Sequence, residues 1–154
     1  EIIIKKDFIF LISLMIIDST DNSDYFVYKY NLSNEDKKKI NFLSSIYSKK
    51  IDKNFFKEKN LWKIFYYNGK DYLFDLIDFK IFQNKKLDKN LINLKNFFNN
   101  QKKPNLKVNA KTLIDRFNYK EGKELGKKLR EIEEFWIENS FKISDKELSE
   151  IINN

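Results

Sequence analysis

An all-α fold is the class this chain predicts, and three observations carry that reading. Apolar residues recur at spacings of three and four along most of its length, capping signatures stand where those runs begin, and no alternating pattern lasts long enough to build a sheet. Of the 154 residues 42% are hydrophobic and 15 are phenylalanine, against three glycines and one proline, so the chain can build a real core and has few breakers. The expected architecture is a helical body of about five helices followed by a C-terminal tail of about three helices, with no sheet.

Residues 2–17 read as the first helix. Its apolar centre, Phe8 to Ile17, is too short to span a bilayer, and no small-residue cleavage site follows it, so a buried core helix is the better reading and no membrane is expected. A polar turn covers 18–24. Tyr25, Phe26, Tyr28 and Tyr30 then form an aromatic run that suits either a short helix or an extended piece, and the spacing does not choose between them.

Ser33 with Asp36 fits a capping box, and Ile40, Leu43, Ile46 and Tyr47 follow at helical spacing, which predicts a helix over 34–48. A third helix is expected over 54–67 from Phe55, Phe56, Leu61, Trp62, Ile64 and Phe65, ending at Asn68-Gly69. Two more follow over 71–82 and 87–98. Residues 99–104, polar and closed by the only proline, mark the clearest boundary. The resulting division is 1–100 as body, 101–108 as linker and 109–154 as tail.

In the tail, Asn109 is placed to cap a short helix over 110–117, and Asn118 tolerates the left-handed conformation needed at its end. A long helix from Glu121 carries Leu125, Leu129, Ile132, Phe135 and Trp136 as one apolar stripe, with Glu131, Glu134 and Glu138 away from it. Ser144 and Glu147 form the capping box of a closing helix through Ile152.

Composition excludes much chemistry. The chain has no cysteine and no histidine, which removes disulfides, thiol nucleophiles, Cys/His zinc sites and imidazole acid–base catalysis. No phosphate-cradling loop is present. Asp71, Asp75 and Asp78 fall within one expected helix and could share a face around a metal, although a solvated charged face is the commoner outcome. Net charge is +7, and its distribution is uneven: Lys and Arg against Asp and Glu stand at 11 to 9 over 1–60, 10 to 4 over 61–108 and 9 to 10 over 109–154. A basic middle with aromatics nearby suits a polyanion such as RNA, while the abundance of Lys, Asn and Ile also fits an AT-rich coding bias.

The unusual stretch is Gly122 to Phe141, which holds two of the three glycines. Four residues apart, Gly122 and Gly126 would fall on one helix face and strip it of side chains, at about 1 kcal/mol each. Close packing of a neighbouring helix is the ordinary explanation; close approach of a phosphate chain is the functional one.

Beyond these readings, the segment from Pro104 through Leu148 resembles the C-terminal tail of the class II tRNA nucleotidyltransferase and bacterial poly(A) polymerase family. The resemblance rests on Gly122, Gly126, Leu129, Glu133, Trp136, Ile137, Phe141, Ser144 and Leu148. Upstream, the run Tyr30 to Glu35 is similar to the start of a body helix in that family, and Leu61 to Gly69 to its helix before a glycine turn. The chain departs from the family pattern at Ala110, Thr112 and Asn118. The family's catalytic head, with its carboxylate pair, and its neck are not recognisable, and because the first residue is Glu1, a fragment or processed product is expected.

The resemblance implies the body and tail of an enzyme that adds nucleotides to RNA 3′ ends without a template, most naturally CCA on tRNA. By the same resemblance the poly(A) polymerase C-terminal region is an alternative, and a non-enzymatic helical interaction module is a third reading. The head would supply phosphoryl transfer with magnesium and CTP or ATP, so this chain alone is expected to carry no cofactor and no activity. Its partners would be the tRNA acceptor and elbow region together with the head and neck, in the cytoplasm. From charge and position, the expected RNA contacts are Lys111, Arg116, Lys120, Gly122, Lys123, Gly126, Lys127 and Lys128, with Lys85, Lys86, Lys102 and Lys103 next.

Overall fold

The computed structural model describes residues 7–18, 20–47, 51–52, 54–84 and 86–153. Among these the chain forms nine helices and no strand: α1 Phe8–Ile16, α2 Asn22–Lys29, α3 Asn34–Tyr47, α4 Glu58–Asn68, α5 Lys70–Gln83, α6 Lys89–Asn99, α7 Ala110–Phe117, α8 Lys123–Glu138 and α9 Asp145–Asn153. They fall into two compact units, a body ending at Gln101 with α1 to α6 and a tail from Lys102 with α7 to α9. The expected all-α class holds. Residues 2–6 and Ser48, the outer ends of two expected helices, lie outside the described residues.

The body begins with a cap that also ties two helices. Asp7 accepts the Phe10 N–H at 2.8 Å and so satisfies one of the free donors at the start of α1. Its other oxygen takes the Lys39 ammonium of α3 at 2.9 Å. The aromatic run after Asp21 is helical and becomes α2. Only Ser23 of this helix is buried, and its hydroxyl meets that of Ser44 on α3 at 2.8 Å, so the segment docks through a polar contact rather than an apolar stripe.

Ser33 caps α3 as expected, with the Asp36 N–H donating to Ser33 Oγ at 3.1 Å, but the Asp36 carboxylate accepts from the Ser33 hydroxyl at 2.7 Å and not from its backbone N–H, so the box is half formed. The next helix starts later than its apolar pattern implies. Asp52 accepts the Asn54 N–H, and the Phe55 N–H returns to the Asp52 carbonyl at 2.9 Å. This local turn competes with helix and delays α4 until Glu58. Phe55 and Phe56 still pack on the body core from the turn. Gly69, at φ 88°, is the only residue between α4 and α5; that left-handed conformation lets one helix end and the next begin at once.

The body core is built around rings. Tyr47 lies against Phe79 with centroids 4.4 Å apart, and Phe10 meets Phe79 edge to face at 6.3 Å. The Tyr47 hydroxyl donates to the Leu76 carbonyl at 2.7 Å, and burial pushes its ionisation far above the usual phenol range. Trp62 and Phe65 of α4 close on Phe98 of α6 at 5.0 and 5.8 Å.

One charge pair sits inside this apolar frame. Asp78 on α5 is 4% exposed, and the Lys95 ammonium of α6 lies 2.7 Å from both of its oxygens. Lys95 also passes over the Phe74 ring at 5.5 Å. A buried pair of this kind stabilises little as a whole, but losing one partner leaves a charge in low dielectric.

The tail core consists of Leu113, Leu125, Ile132, Leu148 and Ile152, surrounded by residues from all three tail helices. Leu106 and Val108, from the extended segment before α7, pack against it as well. Asn109 and Thr112 cap α7 reciprocally, and Asn118 closes it at φ 55°. On α8 the buried positions are Leu125, Ile132, Trp136 and Ile137, whereas Phe135 is left 36% exposed. The helix ends in a Schellman arrangement: Phe141 N–H donates to the Trp136 carbonyl at 2.8 Å and Ser140 N–H to that of Ile137 at 3.3 Å. The apolar contact that accompanies this motif is present, with the Trp136 and Phe141 rings 5.0 Å apart. Ser144 and Glu147 cap α9, holding the Glu147 carboxyl below its usual range through the Ser144 hydroxyl and N–H.

Replacing Lys95 by Met is expected to cost about 3–5 kcal/mol in urea unfolding, because the buried Asp78 carboxylate loses the ammonium that lies 2.7 Å from both its oxygens. The double variant Asp78→Leu with Lys95→Met is expected to recover most of that loss. A single-variant cost below about 1 kcal/mol, the scale of an exposed pair, would contradict this role.

Candidate nucleic-acid interface

The start of α8 is where the tail presents bare backbone. Gly122 is not the first residue of the helix but its N-cap, with φ 150°, and the helix begins at Lys123. The expectation that both glycines lie within one helix therefore fails: the chain reaches α8 through a conformation that residues with a side chain rarely adopt. No side chain caps the helix, so its first turn keeps unsatisfied N–H donors, with the positive end of the helix dipole behind them.

Gly126 is helical and exposed, and a Cβ added at Gly122 or Gly126 would meet nothing within 4 Å. Close packing of a neighbouring helix, the ordinary explanation for this spacing, is absent at both positions. What remains is open space at Gly122 and Gly126, at the helix end that favours anions, with the exposed Glu124 carboxylate in the same turn held by Lys127.

The expected contact residues divide by environment. Lys123 and Lys127 are exposed on α8 four residues apart, and with Gly126 they share one face. Arg130 is exposed on the same face, three residues beyond Lys127. Charge and position alone pass over Arg130, although its spacing of seven from Lys123 is the signal that finds it. Lys120 is exposed in the connection before Gly122, and Lys111 is exposed on α7.

Lys127 is held by Glu124 at 2.9 Å, and this hydrogen bond raises its ionisation above the usual lysine range. Both partners are largely exposed, so the pair contributes little and a phosphate can compete for the ammonium. Arg116 is likewise exposed and meets Asp145 of α9 at 3.2 Å.

Lys128 is placed differently. Half-buried, it donates to the Ile151 carbonyl at 2.9 Å and pairs with Glu131 at 2.7 Å, tying α8 to α9. Lys102 and Lys103 are exposed in the segment that leads into the tail, and Lys86 is exposed in the connection between α5 and α6 of the body. Lys85 lies outside the described residues.

The carboxylates of α5 do not assemble a metal centre. Asp78 is turned inward onto Lys95, whereas Asp71 is exposed, and among the described residues no group of three acidic side chains could hold a cation. No helix among them is long and apolar enough to cross a membrane.

Comparison with known proteins gives one match of great extent. The family model described as tRNA nucleotidyltransferase domain 2 covers residues 5–152, nearly the whole chain. No curated protein and no solved structure matches it.

The open surface over α8 has a direct test in stability. Gly126→Ala is expected to raise stability by about 0.5–1 kcal/mol, since the methyl enters empty space on a helical backbone. Gly122→Ala is expected to lower it by about 1–3 kcal/mol, because φ 150° strains any residue with a Cβ. Thermal unfolding of both variants checks the pair of signs, and a loss at Gly126 would restore the packing explanation.

Proposed function

We infer the role of this chain from its family: it belongs to the tRNA nucleotidyltransferase domain 2 family, and we propose that it is the part that holds tRNA while nucleotides are added to the 3′ end. The observation that carries this reading is the family match over residues 5–152. The uncapped start of α8, with Lys123, Lys127 and Arg130 on one exposed face, supports it. In this reading the phosphate backbone lies across Gly122 and Gly126, where backbone N–H groups can donate to its oxygens without a side chain in the way.

Recognition is then of shape and charge. An RNA duplex offers side chains its phosphates and 2′-hydroxyls rather than readable base edges, and lysines on a rigid helix suit that surface. Lys111, Lys120, Lys102 and Lys103 extend the cationic surface on the tail, and Lys86 is a further exposed cation on the body. We assign the chemistry, with magnesium and CTP or ATP, to the family's catalytic head and neck. The product we favour is the CCA terminus, because the family description names tRNA; poly(A) addition is the second reading within the same fold.

Fluorescence anisotropy of labelled tRNA across a salt series tests this. Binding is expected to weaken steeply with salt, and the double variant Lys123→Gln with Lys127→Gln to reduce the logarithmic slope by about 2, roughly one unit for each phosphate contact. A slope unchanged by the double variant would contradict contact at α8. Equal affinity for tRNA and for unstructured adenosine-rich RNA would favour the poly(A) reading.

A further inference from the structure

The tail also carries a groove of about 610 Å³, to which Arg116 is the one expected contact residue that contributes. It runs between the extended segment 105–108, α7, and the connection from α8 to α9. Its size is within the range of small-molecule sites, about 300–1,000 Å³. Leu148, buried, and half-buried Val108, Phe141 and Ile143 give it an apolar lining. Lys107 and Lys142 stand exposed at its edge, and neither makes an ion pair among the described residues. The one carboxylate that lines the groove, Asp145, is already matched by Arg116 at 3.2 Å.

Phe141 is the unusual member. Its φ of 61° is a left-handed conformation that bulky side chains avoid, and the preceding Ser140 has φ 56°. Ser140 is the left-handed residue that the Schellman motif requires; Phe141, one position on, is left-handed as well, where an asparagine would sit with less strain. The phenylalanine contributes a ring, packed edge to face on Trp136 and half-exposed in the groove wall.

We propose that this groove receives one unpaired nucleotide of the bound RNA, its base against Phe141 and the aliphatic lining and its phosphate beside Lys107 and Lys142. The proposal rests on the RNA-holding role above and adds a subsite to it. An apolar slot with two uncompensated ammonium groups complements a planar base bearing a monoanionic phosphate. Stacking of this kind accepts any base, because each has a π face. The tail would then grip RNA by two chemistries, duplex phosphates at α8 and an unstacked nucleotide at the groove.

The experiment compares two labelled RNAs, a hexamer of uridine and a fully paired hairpin, by anisotropy with the whole chain. Phe141→Asn is expected to weaken hexamer binding by roughly tenfold, the scale of one base–aromatic stack, and to leave hairpin binding unchanged. Circular dichroism checks that this variant keeps its helices. Should it fail to fold, Lys107→Glu with Lys142→Glu, both at exposed positions, is expected to give the same selective loss. Hexamer binding that is absent in the unmodified protein, or untouched in a folded Phe141→Asn and in the lysine variant, overturns the subsite. If the hairpin also fails to bind the unmodified protein, the RNA-holding role falls with it. An acidic phenylalanine-containing peptide that binds in a Phe141-dependent way where the hexamer does not would overturn the nucleotide assignment in favour of a protein partner.

Discussion

The tail depends on how the chain enters α8. Gly122 sits at φ 150°, and from that one residue the helix departs with its first-turn N–H groups uncovered. A capping serine or aspartate at this point would satisfy a donor, but at φ 150° its Cβ would bring strain of about 1–3 kcal/mol, so the glycine leaves the start uncapped. The other two tail helices have such caps, Asn109 on α7 and Ser144 with Glu147 on α9. The contrast places the exposed backbone at one helix start of the three. The same helix sends Leu125, Ile132 and Trp136 inward, so the surface that faces outward is fixed by the packing behind it.

The body solves a different problem, that of holding polar groups among many rings. Each buried polar side chain has a partner: Tyr47 reaches a backbone carbonyl, Ser13 returns to the Ile9 carbonyl at 2.7 Å, Ser23 meets Ser44, and Asp78 meets Lys95. Among the described residues no buried side-chain polar atom is left without a hydrogen bond. These contacts join α2 to α3, α3 to α5 and α5 to α6, which are links that an aromatic core alone would leave free to slip.

Much of this is legible in the order of the residues, and the reason is local. The Ser33 cap, the box at Ser144 with Glu147, the Asn109 cap and the left-handed Asn118 are each decided within four residues, so the signals for them are complete in the chain. The helical state of 22–29 is not legible, because its only buried residue is a serine whose partner lies on another helix. Periodicity misplaces the start of α4, since Phe55 and Phe56 have the right spacing for a helix while Asp52 offers the backbone a turn. Along α8 the stripe is correctly centred, but periodicity does not say which flank is covered, and Ile137 rather than Phe135 is buried. Of the candidate site, the glycine spacing suggests one helix face, whereas Gly122 is the N-cap of α8 and only Gly126 lies within the helix. Counting charges cannot separate Lys128, which fastens α9, from Lys123, which faces solvent.

Amide hydrogen exchange at the first turn of α8 tests the central claim most directly, because it reads the N–H groups themselves. If tRNA backbone lies over Gly122 and Gly126, the amides of Lys123, Glu124 and Leu125 should exchange at least about tenfold more slowly when tRNA is bound, as donors newly hydrogen-bonded to phosphate do. Saturating tRNA that leaves these three amides at their free rates, with protection appearing elsewhere on the chain, would contradict the account.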